Sequence, residues 1–298
     1  MSSEQLEKVI ADCLATFGAW GPETTLEEMR ASADKLFAVQ NRAVGATSEE
    51  VDAGGVRAEW ITAPGVGSDK AVLYVHGGGY VLGSIDSHRD LCERLSRSAG
   101  ARVLSLDYRL APEDPFPAAV DDSVAAYNWL LGQGLAPGSI AIAGDSAGGG
   151  LVFGTLVALR DAGAELPACA TPISPWVDLE GTGETMDSKA DLDPMVQKEG
   201  IQAMGGMYVP TGDLKNPLAA PLYADLSGLP PLLIHVGTRE TLLDDAIRMH
   251  DKAKAAGVDV TLDIWEGQIH VWHLFSDRLD EGEEAIQQLG TFMKKHMD

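Results

Sequence analysis

The sequence GDSAG at residues 144–148 is the strongest structural signal in this chain. It follows a short apolar run at 139–143 and precedes small and apolar residues at 149–159, an order that predicts a strand, a sharp turn and a helix. Glycines two residues to either side of Ser146 let the strand and the helix approach closely, and the turn exposes the serine. Ser146 is therefore the candidate nucleophile. GDSAG alone also fits an ordinary tight turn, so the assignment depends on the neighbouring motifs.

A second motif, HGGGY at residues 76–80, ends another strand-like run at 70–75. A phosphate-binding loop would continue into Gly-Lys-Ser/Thr and a dinucleotide fingerprint would end in an acidic residue, and neither follows here. Consecutive glycines instead expose backbone N–H groups that can form an oxyanion hole. When a hydroxyl attacks an ester carbonyl, each fixed donor contributes about 3 kcal/mol to the transition state. We expect these donors to come from the glycine loop and from the N–H of Ala147.

A nucleophilic serine needs a general base, and His270 is the best placed of the seven histidines. It lies in a loop between an alternating strand at 258–264 and the C-terminal helix. His273 is its rival, although we expect that residue to pack at a helix start. His235 lies within the apolar run 231–236 and is expected in the core. Three further histidines lie in helix-like stretches and are predicted at the surface: His88, His250 and His296.

The third member of the site is expected to be a carboxylate on a loop directly after a strand, where it can orient the histidine. Two acids follow the strand at 232–236. Glu240 lies three residues after Gly237, and Asp244 lies four residues further on, inside a predicted helix. Thr241 and Asp244 together fit a capping box, which would give Asp244 a structural role. We therefore favour Glu240 and keep Asp244 as the alternative.

Strand-like runs alternate with helix-like segments from residue 70 onward. These runs span 70–75, 102–107, 139–143, 168–173, 231–236 and 258–264. The alternation predicts the α/β class, with a mostly parallel sheet flanked by helices and a ligand site at the carboxyl ends of the strands. Ser146, Glu240 and His270 all follow such ends. Helices are predicted within residues 1–45, followed by a hairpin formed by 49–51 and 56–62.

The chain order of serine, acid and histidine is the one associated with the α/β-hydrolase fold. With HGGG at 76–79, DYRLAPEDPFPAAVDD at 107–122 and GDSAGG at 144–149, the chain resembles the hormone-sensitive-lipase family of esterases, in particular its bacterial members. The similarity runs from about residue 70 to the C-terminus. It implies an α/β-hydrolase fold with a small helical cap, and a carboxylic ester hydrolase that requires no cofactor and no metal.

The resemblance also implies roles for individual residues. Ser146 would be the nucleophile and His270 the base, and the oxyanion hole would be formed by Gly77, Gly78, Gly79 and Ala147, the second and third glycines most directly. Glu240 stands where the family commonly has an aspartate, and a glutamate can do the same work with one more methylene. Gly150 stands where the family often has asparagine, for which we expect only a local packing change.

Residues 1–45 and an insertion at 183–212 resemble the helical cap of the family, and residues 46–298 its catalytic domain. Cap residues predicted to line the substrate pocket are Met195, Met204, Met207 and Tyr208. Flexible thioethers accommodate varied apolar groups, which suits such a pocket. The alternative is that these side chains pack the small core of the cap itself, and Phe17 and Trp20 are open to the same two interpretations.

We therefore expect a serine carboxylesterase that hydrolyses uncharged esters of short to medium chain length through an acyl-enzyme on Ser146. An amide or formamide hydrolase would use the same machinery and is an alternative. A non-catalytic small-molecule receptor on the same scaffold is a further alternative, which His270 disfavours because such receptors have lost the base. Asp145 is expected to point away from Ser146 and to serve the structure.

The composition fits one enzyme domain, since 298 residues with 45% hydrophobic content suffice for a large core. The formal net charge of −23 disfavours nucleic acid and anionic membrane surfaces as partners. The three widely spaced cysteines Cys13, Cys92 and Cys169 and the lack of a signal-like start favour a reducing cytoplasm. Relatives often pair through the last strand and helix, here 258–294, so a homodimer is one expected state.

Overall fold

A computed structural model describes residues 3–39 and 45–297 of the chain. Its strands are β1 Thr47–Asp52, β2 Arg57–Thr62, β3 Ala71–Val75, β4 Arg102–Leu106, β5 Ile140–Asp145, β6 Cys169–Ile173, β7 Leu232–Gly237 and β8 Val260–Trp265. These described strands form one eight-stranded sheet in the order β1-β2-β4-β3-β5-β6-β7-β8. The β1–β2 and β2–β4 pairs are antiparallel, and all later pairs are parallel. The predicted α/β class with a mostly parallel sheet is confirmed.

Helices cover both faces of this sheet. They are α1 Glu4–Phe17, α2 Leu26–Phe37, α3 Ile85–Ala99, α4 Ala118–Gly132, α5 Ala147–Asp161, α6 Thr185–Ser188, α7 Lys198–Tyr208, α8 Leu243–Ala255 and α9 Asp280–His296. α4, α5 and α8 pack on one face, and α3 and α9 pack on the other. Alternate side chains of β3 enter the two layers, Leu73 and Val75 into the first, Val72 and Tyr74 into the second. Burial on both faces explains why the strands from β3 to β7 are mainly apolar.

The parallel strands place their carboxyl ends along one edge of the sheet, and a polar residue follows each of them. The glycine loop that begins at Gly77 follows β3, and Ser146 follows β5. Ser174 follows β6, Glu240 lies in the loop after β7, and His270 lies in the loop after β8. Residues far apart in the sequence therefore meet at one place.

The first helix packs against the loop that carries His270. Leu6, Val9 and Cys13 of α1 form an apolar cluster with Ile269 and Trp272 of that loop. The α1 helix therefore closes the rear of the loop against water. The predicted domain boundary near residue 45 adjoins residues 40–44, which lie outside the described residues, so that boundary stays a prediction.

The second helix is bound to the segment that follows HGGG. Arg30 donates from Nε to the carbonyl of Val81 at 2.8 Å, and its two terminal nitrogens each lie 2.8 Å from a carboxylate oxygen of Glu113. Such a forked pair fixes orientation as well as distance. These hydrogen bonds fix the position of α2 relative to the segment that follows the glycine loop.

The surface position predicted for His88 is wrong. His88 is 2% exposed because its ring packs against Tyr74, His76 and Phe37. His235 is buried within β7, and His273 lies in a short 3₁₀ turn at Trp272–Phe275, as predicted. His250 and His296 are half-buried. Within the described residues, no helix combines the length and apolar character needed to cross a lipid bilayer.

Gly148 provides a test of the close approach between β3 and α5. A Cβ at this position would lie 2.1 Å from the carbonyl oxygen of Val75, whereas a Cβ at Gly132 would meet no atom within 4 Å. Gly148→Ala should therefore lower the free energy of unfolding by about 1–3 kcal/mol or more, because the backbone must shift. Gly132→Ala, the matched control, should change it by no more than about 0.5 kcal/mol. Equal thermal or chemical denaturation midpoints for the two variants would contradict the packing argument.

Candidate active site

Ser146 occupies the sharp turn between β5 and α5, with φ 52° and ψ −119°. Residues other than glycine rarely adopt this conformation. Three hydrogen bonds hold it. The Ser146 N–H donates to the carbonyl of Ile173 at 2.8 Å, and the Ser146 carbonyl accepts from the N–H groups of Gly150 at 3.0 Å and Trp176 at 2.9 Å.

The three residues singled out as serine, base and acid lie in hydrogen-bonding contact. His270 Nε2 lies 2.9 Å from Ser146 Oγ, and His270 Nδ1 lies 2.8 Å from Glu240 Oε2. Because a carboxylate can only accept, Nδ1 carries the proton and Nε2 is free to accept from the serine hydroxyl. The other oxygen of Glu240 accepts from Ser174 Oγ at 2.8 Å and from the N–H of Gly237. Glu240 is therefore fully bonded although it is buried.

Asp244, the alternative acid, does not reach His270. Its carboxylate accepts instead from the N–H of Thr185 at 3.0 Å. The capping box predicted for Thr241 and Asp244 is also wrong, because α8 begins at Leu243 and has no side-chain cap. The hydroxyl of Thr241 is turned toward Asp193 in the insertion.

Burial and the hydrogen bond between His270 and Glu240 have opposite effects on the pKa of each group. Burial disfavours the charged imidazolium, but the hydrogen bond and negative charge of Glu240 outweigh it and raise the pKa of His270 above its usual value. Burial raises the pKa of Glu240, and the hydrogen bond from His270 offsets only part of that effect. The arrangement favours a positive charge on His270, which is the state a general base reaches after it takes a proton.

Only some of the predicted oxyanion donors in the glycine loop have an N–H group that is free of other hydrogen bonds. The N–H of Gly77 donates to Asp145 Oδ1 at 3.0 Å, so it is already in use and Gly77 leaves the set. Gly78 and Gly79 have φ values of 112° and 64°, a backbone course that favours glycine. Among the hydrogen bonds of residues 3–39 and 45–297, none uses the N–H of Gly78, Gly79 or Ala147. These three donors are free to bind an oxygen placed near Ser146.

Asp145 points away from Ser146, as predicted, and holds the start of the glycine loop through the N–H of Gly77. Besides Gly77, it accepts from the hydroxyl of Tyr74 at 2.7 Å, and His88 Nε2 lies 3.2 and 3.3 Å from its two oxygens. Burial raises the pKa of Asp145, but the charge and hydrogen bond of His88 outweigh it and lower the pKa to about 2. Asp145 is therefore an ionised anchor for the loop.

Ser146 and His270 open into an apolar cavity of about 620 Å³. Its walls come from α1, α2 and the insertion at 183–212. Apolar side chains that line it include Leu14, Phe17, Trp20, Met29, Phe37, Met195, Met204, Met207 and Leu242. Three of the four predicted pocket residues, Met195, Met204 and Met207, thus lie where the sequence predicted.

Tyr208 does not line this cavity, and its predicted place there is wrong. It is 1% exposed, and its ring stacks on Tyr80 with the centroids 3.7 Å apart and the planes 3° from parallel. Phe116 packs edge-on against it at 5.7 Å. The aromatic ring gains more contact between the insertion and the glycine-loop segment than a pocket wall would offer.

Comparisons with known proteins identify the family. A protein-family model described as the alpha/beta hydrolase fold matches residues 72–274. A solved esterase from the bacterial hormone-sensitive-lipase family is 47% identical, with 100% of both chains covered and a TM-score of 0.97. This chain belongs to that family.

Further relatives of this hormone-sensitive-lipase family member agree with the assignment. An acetyl-hydrolase of Streptomyces hygroscopicus is 46% identical over 244 residues, which is 82% of this chain and 81% of the relative. A structure of EstE5 soaked with p-nitrophenyl butyrate is 48% identical, with 99% of both chains covered and a TM-score of 0.94. The chain is thus an esterase and a serine hydrolase, and the receptor alternative is wrong.

The sequence interpretation of this esterase missed Ser174 and Asp193. Ser174 directly follows β6 and donates to Glu240, so the rule that polar residues after strands meet at one edge could have found it. Asp193 bonds to Thr241 from a distant insertion, and no local pattern indicates that contact. Within the described residues, no group of three or more His, Cys, Asp or Glu side chains could hold a metal ion.

The effect of Glu240 on His270 can be measured directly. Glu240→Gln should lower the pKa of His270, because the hydrogen bond and charge of Glu240 are the causes that raise it. The measurement is a histidine titration by NMR. Asp244→Asn is the matched control, since it removes a nearby carboxylate that does not touch the histidine. Equal pKa values for His270 in the native protein and Glu240→Gln, or equal decreases in both variants, would contradict the arrangement.

Proposed function

We propose that this esterase hydrolyses uncharged carboxylic esters of short to medium acyl chain length through an acyl-enzyme on Ser146. The observation that carries the proposal is the hydrogen-bonded chain from Ser146 Oγ to His270, at 2.9 Å, and from His270 to Glu240, at 2.8 Å. Its serine end opens into the apolar cavity. We further propose that α1, α2 and the insertion at 183–212 act together as the cap over this site.

In the first half of the reaction, the hydroxyl of Ser146 attacks the ester carbonyl while His270 Nε2 takes its proton. The carbonyl oxygen becomes an oxyanion and accepts hydrogen bonds from the N–H groups of Gly78, Gly79 and Ala147. Glu240 stabilises the imidazolium formed on His270. Collapse of this intermediate breaks the bond to the alcohol oxygen, which receives the proton from His270, and leaves the acyl group on Ser146.

In the second half, a water molecule replaces the alcohol. His270 takes a proton from this water as the water attacks the acyl-enzyme carbonyl, and the same N–H donors bind the second oxyanion. Collapse returns the proton to Ser146 Oγ and releases the carboxylic acid. Every proton passes through His270 Nε2, so the position of that atom beside Ser146 serves both halves.

The size and charge of the cavity support the proposed substrate class. A volume of about 620 Å³ lies within the range of small-molecule sites, and its lining is mainly apolar. Charged residues that line the cavity include Glu7, Asp191 and Arg239, and Arg239 lies 4.0 Å from Glu7. The formal net charge of −23 on the whole chain disfavours the approach of anionic esters. The relatives named for acetyl-hydrolase activity or soaked with p-nitrophenyl butyrate support short acyl groups.

Replacement of the nucleophile is the first test. Ser146→Ala should lower kcat for p-nitrophenyl butyrate by about four to six orders of magnitude, because no hydroxyl remains to be acylated. The fold should be unchanged by circular dichroism. Ser68→Ala makes the same substitution at an exposed position and is the control with native activity. Substantial hydrolysis by Ser146→Ala would refute the assignment of the nucleophile.

A series of acyl chains tests the substrate class. We expect kcat/KM to be high for p-nitrophenyl acetate, butyrate and octanoate and low for the palmitate, because walls from α1, α2 and the insertion at 183–212 bound the cavity and limit the chain length that it can hold. Matching p-nitroanilides should be poor substrates if the esterase is not primarily an amide hydrolase. A preference for palmitate, or for anilides over esters, would contradict the proposal.

A further inference from the structure

Asp193 is a buried carboxylate that the steps above do not use. It lies in the insertion between α6 and α7, is 3% exposed and borders the substrate cavity. Its Oδ1 accepts from the N–H groups of Met195 and Val196, each at 3.0 Å. Its Oδ2 accepts from the N–H of Thr241 at 2.9 Å and lies 3.2 Å from the hydroxyl of Thr241. Each of these four contacts can donate a hydrogen bond to the carboxylate.

No lysine or arginine of residues 3–39 and 45–297 forms an ion pair with Asp193. A buried carboxylate without a cation is costly unless hydrogen bonds saturate it, as they do here. Two of its four hydrogen bonds reach outside the insertion to Thr241.

The bond to Thr241 acts on the residue next to Glu240. On the sheet side, the Glu240 carboxylate is fixed by Ser174 and by the N–H of Gly237. The backbone bond from Glu240 N–H to the Gly237 carbonyl is long, at 3.3 Å. On the side of the insertion, Asp193 accepts from the N–H of Thr241, and the hydroxyl of Thr185 donates to the carbonyl of Thr241 at 2.8 Å. The position of the Glu240 carboxylate therefore depends on the insertion as well as on β7.

Asp193 also adds charge near His270. The groups placed around His270 by the surrounding elements are Glu240, Arg239, Asp145 of β5, His88 of α3, Glu7 of α1 and His273 of its own loop. Burial opposes the imidazolium, and the contributions of Glu240, then Asp193 and then Asp145, raise the pKa of His270. Asp193 thus changes the pKa of His270 in the same direction as Glu240 does.

We propose that Asp193 is a positioning residue that joins the insertion to the triad: through Thr241 it fixes the Glu240 loop, and its charge favours the imidazolium formed during acyl transfer. This inference rests on the proposed triad. The cap then has a second task besides enclosing substrate, because it supplies one of the two supports for the acid. A loss of this support should lower kcat more than it changes KM.

Asp193→Asn tests the proposal, since asparagine keeps the size of the side chain but removes its charge and turns an NH₂ group toward backbone donors. We expect kcat for p-nitrophenyl butyrate to fall about tenfold or more, which corresponds to about 1.4 kcal/mol, with KM changed less than about twofold. The acidic midpoint of the kcat/KM profile should move to lower pH by up to about one unit, because the pKa of His270 falls. Asp244→Asn is the matched control and should leave both unchanged.

Native kcat and an unmoved midpoint in Asp193→Asn would overturn the proposal. A lower kcat with an unmoved midpoint would also overturn it, since that is the result of a merely structural role. Asp193→Glu restores the charge and should return the midpoint to its native value with kcat still reduced. If Asp193→Asn does not fold, Asp193→Ser, which also removes the charge, takes its place: a lower kcat with the midpoint moved to lower pH supports the proposal, and an unmoved midpoint overturns it. Activity that survives Ser146→Ala would instead refute the triad itself.

Discussion

The backbone strain at Ser146 is the constraint on which the rest of the site depends. A non-glycine residue at φ 52° costs about 1–3 kcal/mol and persists only where its surroundings hold it. Within the described residues, the other non-glycine positions with positive φ are Tyr80, Ser174 and Val271. Tyr80 follows the glycine loop, Ser174 bonds to Glu240, and Val271 follows His270. The strained backbone positions of this fold thus lie at the edge where the parallel strands end. The packing of helices on both faces of the sheet holds these residues in place.

The helical segments over the sheet hold the chemistry in place as well as enclosing it. Arg30 of α2 binds the carbonyl of Val81, and Tyr208 of α7 stacks on Tyr80, so both parts of the proposed cap contact the segment that follows the glycine loop. From the other side, Asp145 holds the N–H of Gly77. A loop rich in glycine would otherwise be the most mobile part of the site. Its N–H groups are preorganised because three separate elements restrain the residues around them.

The sequence could predict the parts of this site that depend on local spacing. Ser146, Glu240 and His270 each follow a strand at short range, and the parallel sheet then brings them together without further information. The features that could not be predicted depend on contacts between distant segments. Tyr208 leaves the cavity because Tyr80 offers a stacking partner, and His88 is buried because its ring packs against aromatic side chains of β3 and α2. Thr241 is withdrawn from a helix cap by Asp193, a competition between a local and a long-range hydrogen bond that spacing alone does not decide.

The contact between α1 and the His270 loop affects how the enzyme loses activity on heating or proteolysis. The cluster of Leu6, Val9 and Cys13 against Ile269 and Trp272 is small and belongs to neither layer of the main core. It would therefore loosen before the sheet does when the temperature rises or a protease nicks the chain start. Water would then reach the back of the imidazole loop while the bulk of the molecule stayed folded. Heat inactivation is therefore expected at a lower temperature than global melting.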